Sequence, residues 1–235
     1  MSKYFINYQN NIEKVLIEAS KYGKINIINQ IYNDTTHVSE QCNLKMLMYS
    51  SNNNYIDIVK KILEKKIDIN LQDINGDTAL LWASGIKKRG IYNNIDIINF
   101  LLNNKANINL PNKNNDTALI WASKEGNFEI VKTLLENKAH VNHNTNYKYN
   151  SLHYAAIYNH LNIINLLLNN KANIYSITRN NKTALMWATK KKHFHICEKI
   201  LHLHKKQIYE ILNNIYNNSI PIVIITIIIN FISFK

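Results

Sequence analysis

Apolar residues along this chain come in pairs three and four apart, in short bursts separated by polar, asparagine-rich connections. The stretch from Lys113 to Asn146 shows the unit most completely. Leu119, Ala122 and Ser123 share one face of a first helix, Gly126 breaks it, and Ile130, Val131, Leu134 and Leu135 line one stripe of a second. That 3.6-residue periodicity predicts two short amphipathic helices. Thr117 stands where a hydroxyl accepts a backbone N–H bond at a helix start. The run from Asn137 to Asn146 is polar and turn-like. Helices this short bury too little surface to stand alone against conformational entropy, so the pattern demands neighbours of the same kind.

The neighbours recur at fixed spacing. Leu119, Leu152 and Leu185 are 33 residues apart, as are Lys105, Lys138 and Lys171, whereas Leu80 and Leu119 are 39 apart. The period is therefore 33, interrupted once. The predicted units are a divergent first pair with its connection (1–43), repeats at 44–72, 73–112, 113–144, 145–178 and 179–204, and a capping helix with an apolar tail (205–235). In the first pair, Val15, Leu16 and Ala19 mark one helix and Ile27, Ile28 and Ile31 the other, joined through Gly23. The six extra residues of the long unit fall between Gly85 and Asn94 and must leave the stack as a surface loop. At the turn that Gly126 makes, later units place Asn159 and Lys192. Asparagine tolerates a left-handed backbone and lysine does so poorly, so the last turn is expected to rearrange.

Three segments carry a fuller motif: D-I-N-G-D-T-A-L-L-W-A from Asp73, N-N-D-T-A-L-I-W-A from Asn114 and N-N-K-T-A-L-M-W-A from Asn180. Together with G-N-F-E-I-V-K-T-L-L-E-N-K-A-H-V-N from Gly126, they resemble the ankyrin-repeat family. The resemblance spans roughly residues 12 to 203. It implies an all-α solenoid of stacked helix-turn-helix units with short turns, whose first helices line a concave groove and whose role is protein binding. Ala79, Ala118 and Ala184 replace the family's proline at the first helical position, which keeps the helix and loses some rigidity.

On the first helix of the central unit, Trp121 lies about 200° round from Leu119 and so points away from its own core. Tyr49, Trp82, Tyr154 and Trp187 hold the equivalent positions. With the groove that the resemblance implies, these five make an aromatic ladder fitted to a partner protein, with Lys87, Lys88 and Arg89 of the inserted loop as an accessory contact. Two readings remain open for the rings, contact with a partner and packing along neighbouring first helices. The turn tips, Asn75, Asn114, Asn115, Lys148, Tyr149, Asn180 and Asn181, are mostly asparagine for conformational reasons and carry a weak signal.

Lysine and arginine exceed aspartate and glutamate by 28 − 16 = 12. The cations are scattered, and only Lys87 to Arg89, Lys190 to Lys192 and Lys205 to Lys206 cluster, which puts charge-driven nucleic-acid binding behind protein binding. Cys42 and Cys197 make no disulfide framework, and the N-terminus lacks a secretory pattern, so a reducing, cytoplasmic setting is expected. His193, His195, Cys197, His202 and His204 lie close together without a cysteine pair to complete a zinc set. No phosphate loop, nucleophile elbow or unexplained carboxylate pair is present, so the expectation is a monomeric binding module without cofactor, catalysis or small-molecule substrate. The apolar segment Ile220 to Phe234 is open to three readings: membrane anchor, apolar cap or partial repeat. As a helix its fifteen residues span about 22 Å, short of the ~30 Å hydrocarbon core.

Overall fold

The computed structural model describes residues 2–34, 38–85 and 94–215, and within them every regular element is a helix. In chain order these are α1 (Ser2–Lys21), α2 (Ile25–Asp34), α3 (Glu40–Asn52), α4 (Ile56–Leu63), α5 (Ala79–Gly85) and α6 (Ile95–Asn103). They continue with α7 (Ala118–Glu125), α8 (Phe128–Glu136), α9 (Ser151–Ile157), α10 (Leu161–Asn169), α11 (Ala184–Lys190) and α12 (Phe194–Ile215). Odd-numbered helices pack one on the next as an inner row, and even-numbered helices form an outer row. The fold is an all-α repeat solenoid.

One apolar seam runs between the two rows. Leu16, Leu47, Leu80, Leu119 and Leu152 fill it from the inner helices, and Ile58, Ile97, Ile130 and Ile163 from the outer ones, all buried. In the first pair the expected set is only partly inside: Leu16, Ala19 and Ile28 are buried, while Val15 and Ile27 are exposed to 45% and 41%. These two sit at the edge of a stripe that has a neighbour on one side only.

Helix starts are capped by different groups in different repeats. Ser39 accepts from the Cys42 amide at 3.2 Å, Thr78 from the Leu81 amide at 3.2 Å and Thr183 from the Met186 amide at 3.3 Å. Thr117 departs from expectation. Its backbone is extended, as an N-cap requires, but its buried hydroxyl forms no hydrogen bond to the helix. The last turn also differs from expectation, because Lys192 adopts φ +60° and keeps the geometry of Asn159 (+62°) and Gly126 (+80°). The amide of His193, which follows the turn, donates to the Ala188 carbonyl at 2.9 Å, as Asn127 does to Ala122 at 3.0 Å. Closing that bond holds the lysine in a conformation it would otherwise avoid. Finally, α12 runs unbroken through residue 204, so the expected capping helix is a continuation of the last outer helix.

Successive turns are stitched to one another. The Lys113 amide donates to the Asn75 carbonyl, Asn146 to Asn114, and Arg179 to Tyr147, at 2.9 to 3.1 Å. A second set of bonds ties together the loops that follow the outer helices. Asn70 accepts from the Asn107 amide at 2.7 Å, Asn109 from His140 at 2.8 Å and Asn142 from Asn173 at 2.8 Å. The inner row of helices is thereby held in register, which fixes the side chains it presents.

Candidate functional site: the aromatic face of the inner helices

Tyr49, Trp82, Trp121, Tyr154 and Trp187 all lie on the inner helices, and all are partly buried. They do not form one continuous ladder. Tyr49 and Trp82 meet edge to face, with ring centroids 5.5 Å apart and planes at 90°. Trp121 instead lies over Gly85 at the end of α5, where a Cβ would stand 2.2 Å from its Cε3. Tyr154 and Trp187 are joined by a third ring, Tyr149. It stacks on Tyr154 at 5.4 Å and 30°, and tilts against Trp187 at 5.9 Å and 40°.

Charged groups flank these rings. Lys124 Nζ sits 5.8 Å from the centre of Tyr154, Lys190 Nζ 5.2 Å from Trp187, and the Arg179 guanidinium 5.4 Å from Tyr147. Such cation–ring contacts favour the cation modestly at exposed sites. Toward the N-terminal end of the row the neighbours are acidic. Burial raises the Asp77 carboxyl above the usual carboxylate range, against a 2.7 Å bond from the Asn112 amide that pulls it down. Burial likewise raises Asp116, while the indole N–H of Trp121 and the charge of Lys124 act the opposite way. The Tyr154 hydroxyl is pushed up to about 12, first by burial and then by Asp116. It is therefore a neutral hydrogen-bonding group at any physiological pH.

His153 is the buried histidine of this region. Its Nε2 lies 3.1 Å from the Ser176 carbonyl and 3.2 Å from that of Lys182, and its Nδ1 accepts from the Asn150 amide at 3.3 Å. Burial lowers its pKa, so the neutral ring with the proton on Nε2 joins one repeat to the next. The remaining histidines of the C-terminal group are apart from one another. His193 bonds the Ala156 carbonyl at 2.9 Å, His195 faces Glu198 at 3.7 Å, and His204 meets the Tyr175 hydroxyl at 2.9 Å. Among the described residues no three His, Cys, Asp or Glu side chains converge on a metal position.

Residues 16–88, 47–145, 89–178 and 144–211 match the family profile described as ankyrin repeats (3 copies). The chain belongs to the ankyrin-repeat family. No curated protein sequence matches it. Ankyrin repeats are in general protein–protein interaction modules and are typically non-catalytic. In this ankyrin array Lys87, Lys88 and Arg89 lie outside the described residues, as does the segment Ile220 to Phe234. Among the residues described, no helix is long and apolar enough to cross a membrane.

Beside the expected rings the structure places Tyr149, read from the sequence only as a turn tip, together with Lys124 and Lys190, and it sets Arg179 over Tyr147. Tyr149 stands five residues before Tyr154, a position filled by Asp77, Asp116 and Lys182 in the neighbouring repeats. Aligning that column was the signal that would have found it. The cations over the rings had no such signal, since their placement depends on side-chain direction across two repeats.

Proposed function

We propose that this chain is a non-catalytic scaffold that takes a partner protein on its concave face. The observation that carries the reading is the repeated placement of a large ring at one position of five inner helices, each ring partly buried and held by its neighbours. Rings fixed in this way offer contact area with little entropy left to lose, which is the character of binding hot spots. The mutual packing of Tyr149, Tyr154 and Trp187 supports the same reading, because it pre-organises them.

The test is capture of partners from lysate at low and high salt, comparing the native chain with Trp82→Ala/Trp121→Ala/Trp187→Ala. Circular dichroism first establishes that the variant keeps its helices. A discrete protein that survives high salt on the native chain and is lost from the variant is the expected result. Retention of the same partner by the folded variant would move the binding surface elsewhere.

A further inference from the structure

We propose that the partner presents an acidic, extended segment to this face, lying along repeats five and six with its carboxylates over the C-terminal turns. This rests on the concave face being the binding surface and goes on to name what binds there.

A change of sign runs along the groove. Five positions before the rings from Trp82 onward stand Asp77, then Asp116, then Tyr149, then Lys182. The N-terminal half thus places a carboxylate beside Trp82 and Trp121, and the C-terminal half replaces it with a phenol and then an ammonium. The change is not local. Residues 137–197 contain eight lysines and arginines and no aspartate or glutamate. Among the described residues, no acidic side chain of this chain pairs with Lys148, Arg179, Lys182 or Lys190. Lys148, Arg179, Lys182 and Lys190 are all exposed. Their field is therefore left for a partner to neutralise, and Asp77 and Asp116 repel an acidic chain from the other end, which sets its direction.

Acidic peptide and single-stranded nucleic acid both answer to positive charge, and the rings separate them. A single strand is held by bases stacked on bare ring faces. Here Tyr149 lies against Tyr154 and Trp187, and Lys124, Arg179 and Lys190 sit over Tyr154, Tyr147 and Trp187. Tyr147, Tyr149, Tyr154 and Trp187 each already have a face taken by a cation or another ring. The exposed groups beside them are the ammonium and guanidinium heads of Lys148, Arg179, Lys182 and Lys190, which suit carboxylates.

The turns also set a register. They are stitched by backbone bonds from Asn146 to Asn114 and from Arg179 to Tyr147. Neighbouring packed helices stand about 8–10 Å apart, and an extended chain advances about 3.3 Å per residue. Acidic side chains at every third residue fall in step with successive turns.

The experiment is to pan a random 12-residue peptide library on the full chain, with a thymidine oligonucleotide of 15 nucleotides measured separately by fluorescence anisotropy. Two variants accompany it, Lys148→Glu/Arg179→Glu/Lys182→Glu and the milder Lys148→Gln/Arg179→Gln/Lys182→Gln, both at exposed side chains. The expected result is enrichment of peptides with glutamate or aspartate about every third residue. Their affinity should fall at least tenfold on the glutamine variant, and further on the glutamate variant. Peptides without excess acid, no enrichment, or an oligonucleotide that binds more tightly than the enriched peptides would each overturn the proposal. If neutral peptides are selected and depend on Trp187, the concave face stands as the binding surface and only its preference for acid is refuted.

Discussion

The outer helices offer a direct test of backbone strain. Lys105, Lys138 and Lys171 each follow an outer helix and adopt φ of +67°, +67° and +64°. All three side chains are exposed, and only their backbones are engaged, the amides donating to the carbonyls of Leu102, Leu135 and Leu168 at 3.0 to 3.1 Å. A left-handed backbone costs an L-residue about 1–2 kcal/mol, and glycine escapes that cost while giving up about 0.5–1 kcal/mol of chain entropy. Replacing one lysine by glycine should therefore stabilise the fold by about 0.5–1 kcal/mol. The three sites lie in successive repeats and share no side-chain partner, so the triple Lys105→Gly/Lys138→Gly/Lys171→Gly should gain about 1.5–3 kcal/mol. For a chain of this size that is a rise in melting temperature on the order of 5 °C. The triple also lowers the net charge from +12 to 12 − 3 = +9, which relieves self-repulsion. Lys105→Gln/Lys138→Gln/Lys171→Gln removes the same charge and keeps the strain, so the difference between the two triples isolates the backbone. Urea unfolding of both, followed by far-ultraviolet circular dichroism, reads that difference. Equal midpoints for the two triples would show that the turns store no strain and that the argument is wrong.

Two further outcomes follow from contacts between repeats. His153 is held neutral by burial, so the unfolded chain binds its proton more readily; stability should fall as pH drops below the ordinary imidazole value of 6.5 and level off below the lowered folded value. His153→Leu, matching Leu81 at the same position, should lose about 1 kcal/mol at neutral pH for the missing bonds to Ser176 and Lys182. It should also flatten this part of the acid limb, as urea midpoints at pH 7 and pH 5 will show. Asn142→Ala removes an acceptor for the Asn173 amide and a donor to the Lys171 carbonyl, and should cost about 1–2 kcal/mol. Asn109→Ala, which removes the single bond from His140, should cost about half as much, and faster amide exchange at Asn173 but not at His140 will identify the first loss as local.

The architecture was legible from spacing because the repeat writes the same core residue into the same place. Leu119, Leu152 and their counterparts have no alternative burial once the period is known. The lysine at 192 was harder to read. Its intrinsic preference argued for a rearranged turn, and the local helix-end bond from His193 to Ala188 overrode it, a closure that single-residue preference does not contain. Thr117 failed in the opposite way, since its type and position suit a cap but its hydroxyl makes no bond to the helix amides. The row of rings was legible as a set of positions and not as a set of contacts. Periodicity placed Trp121 on the inner face, whereas its seat on Gly85 depends on a small residue one repeat earlier. Tyr149 belongs to the site because of its ring neighbours, which lie in two different repeats.

The stitched turns have a mechanical consequence. Adjacent repeats are joined by short, directional bonds at both ends of the helix pairs: Asn146 to Asn114 and Asn173 to Asn142 in the loops between repeats, and His160 to Lys124 and His193 to Ala156 beside the turns within them. Between these bonds the seam is aliphatic, with residues such as Ile130 and Ile163 buried in it. Directional bonds resist the sliding that aliphatic surfaces alone would allow, so neither margin is free to splay. The array therefore behaves as a short beam rather than a hinge, and presents whatever it holds with a fixed spacing from repeat to repeat.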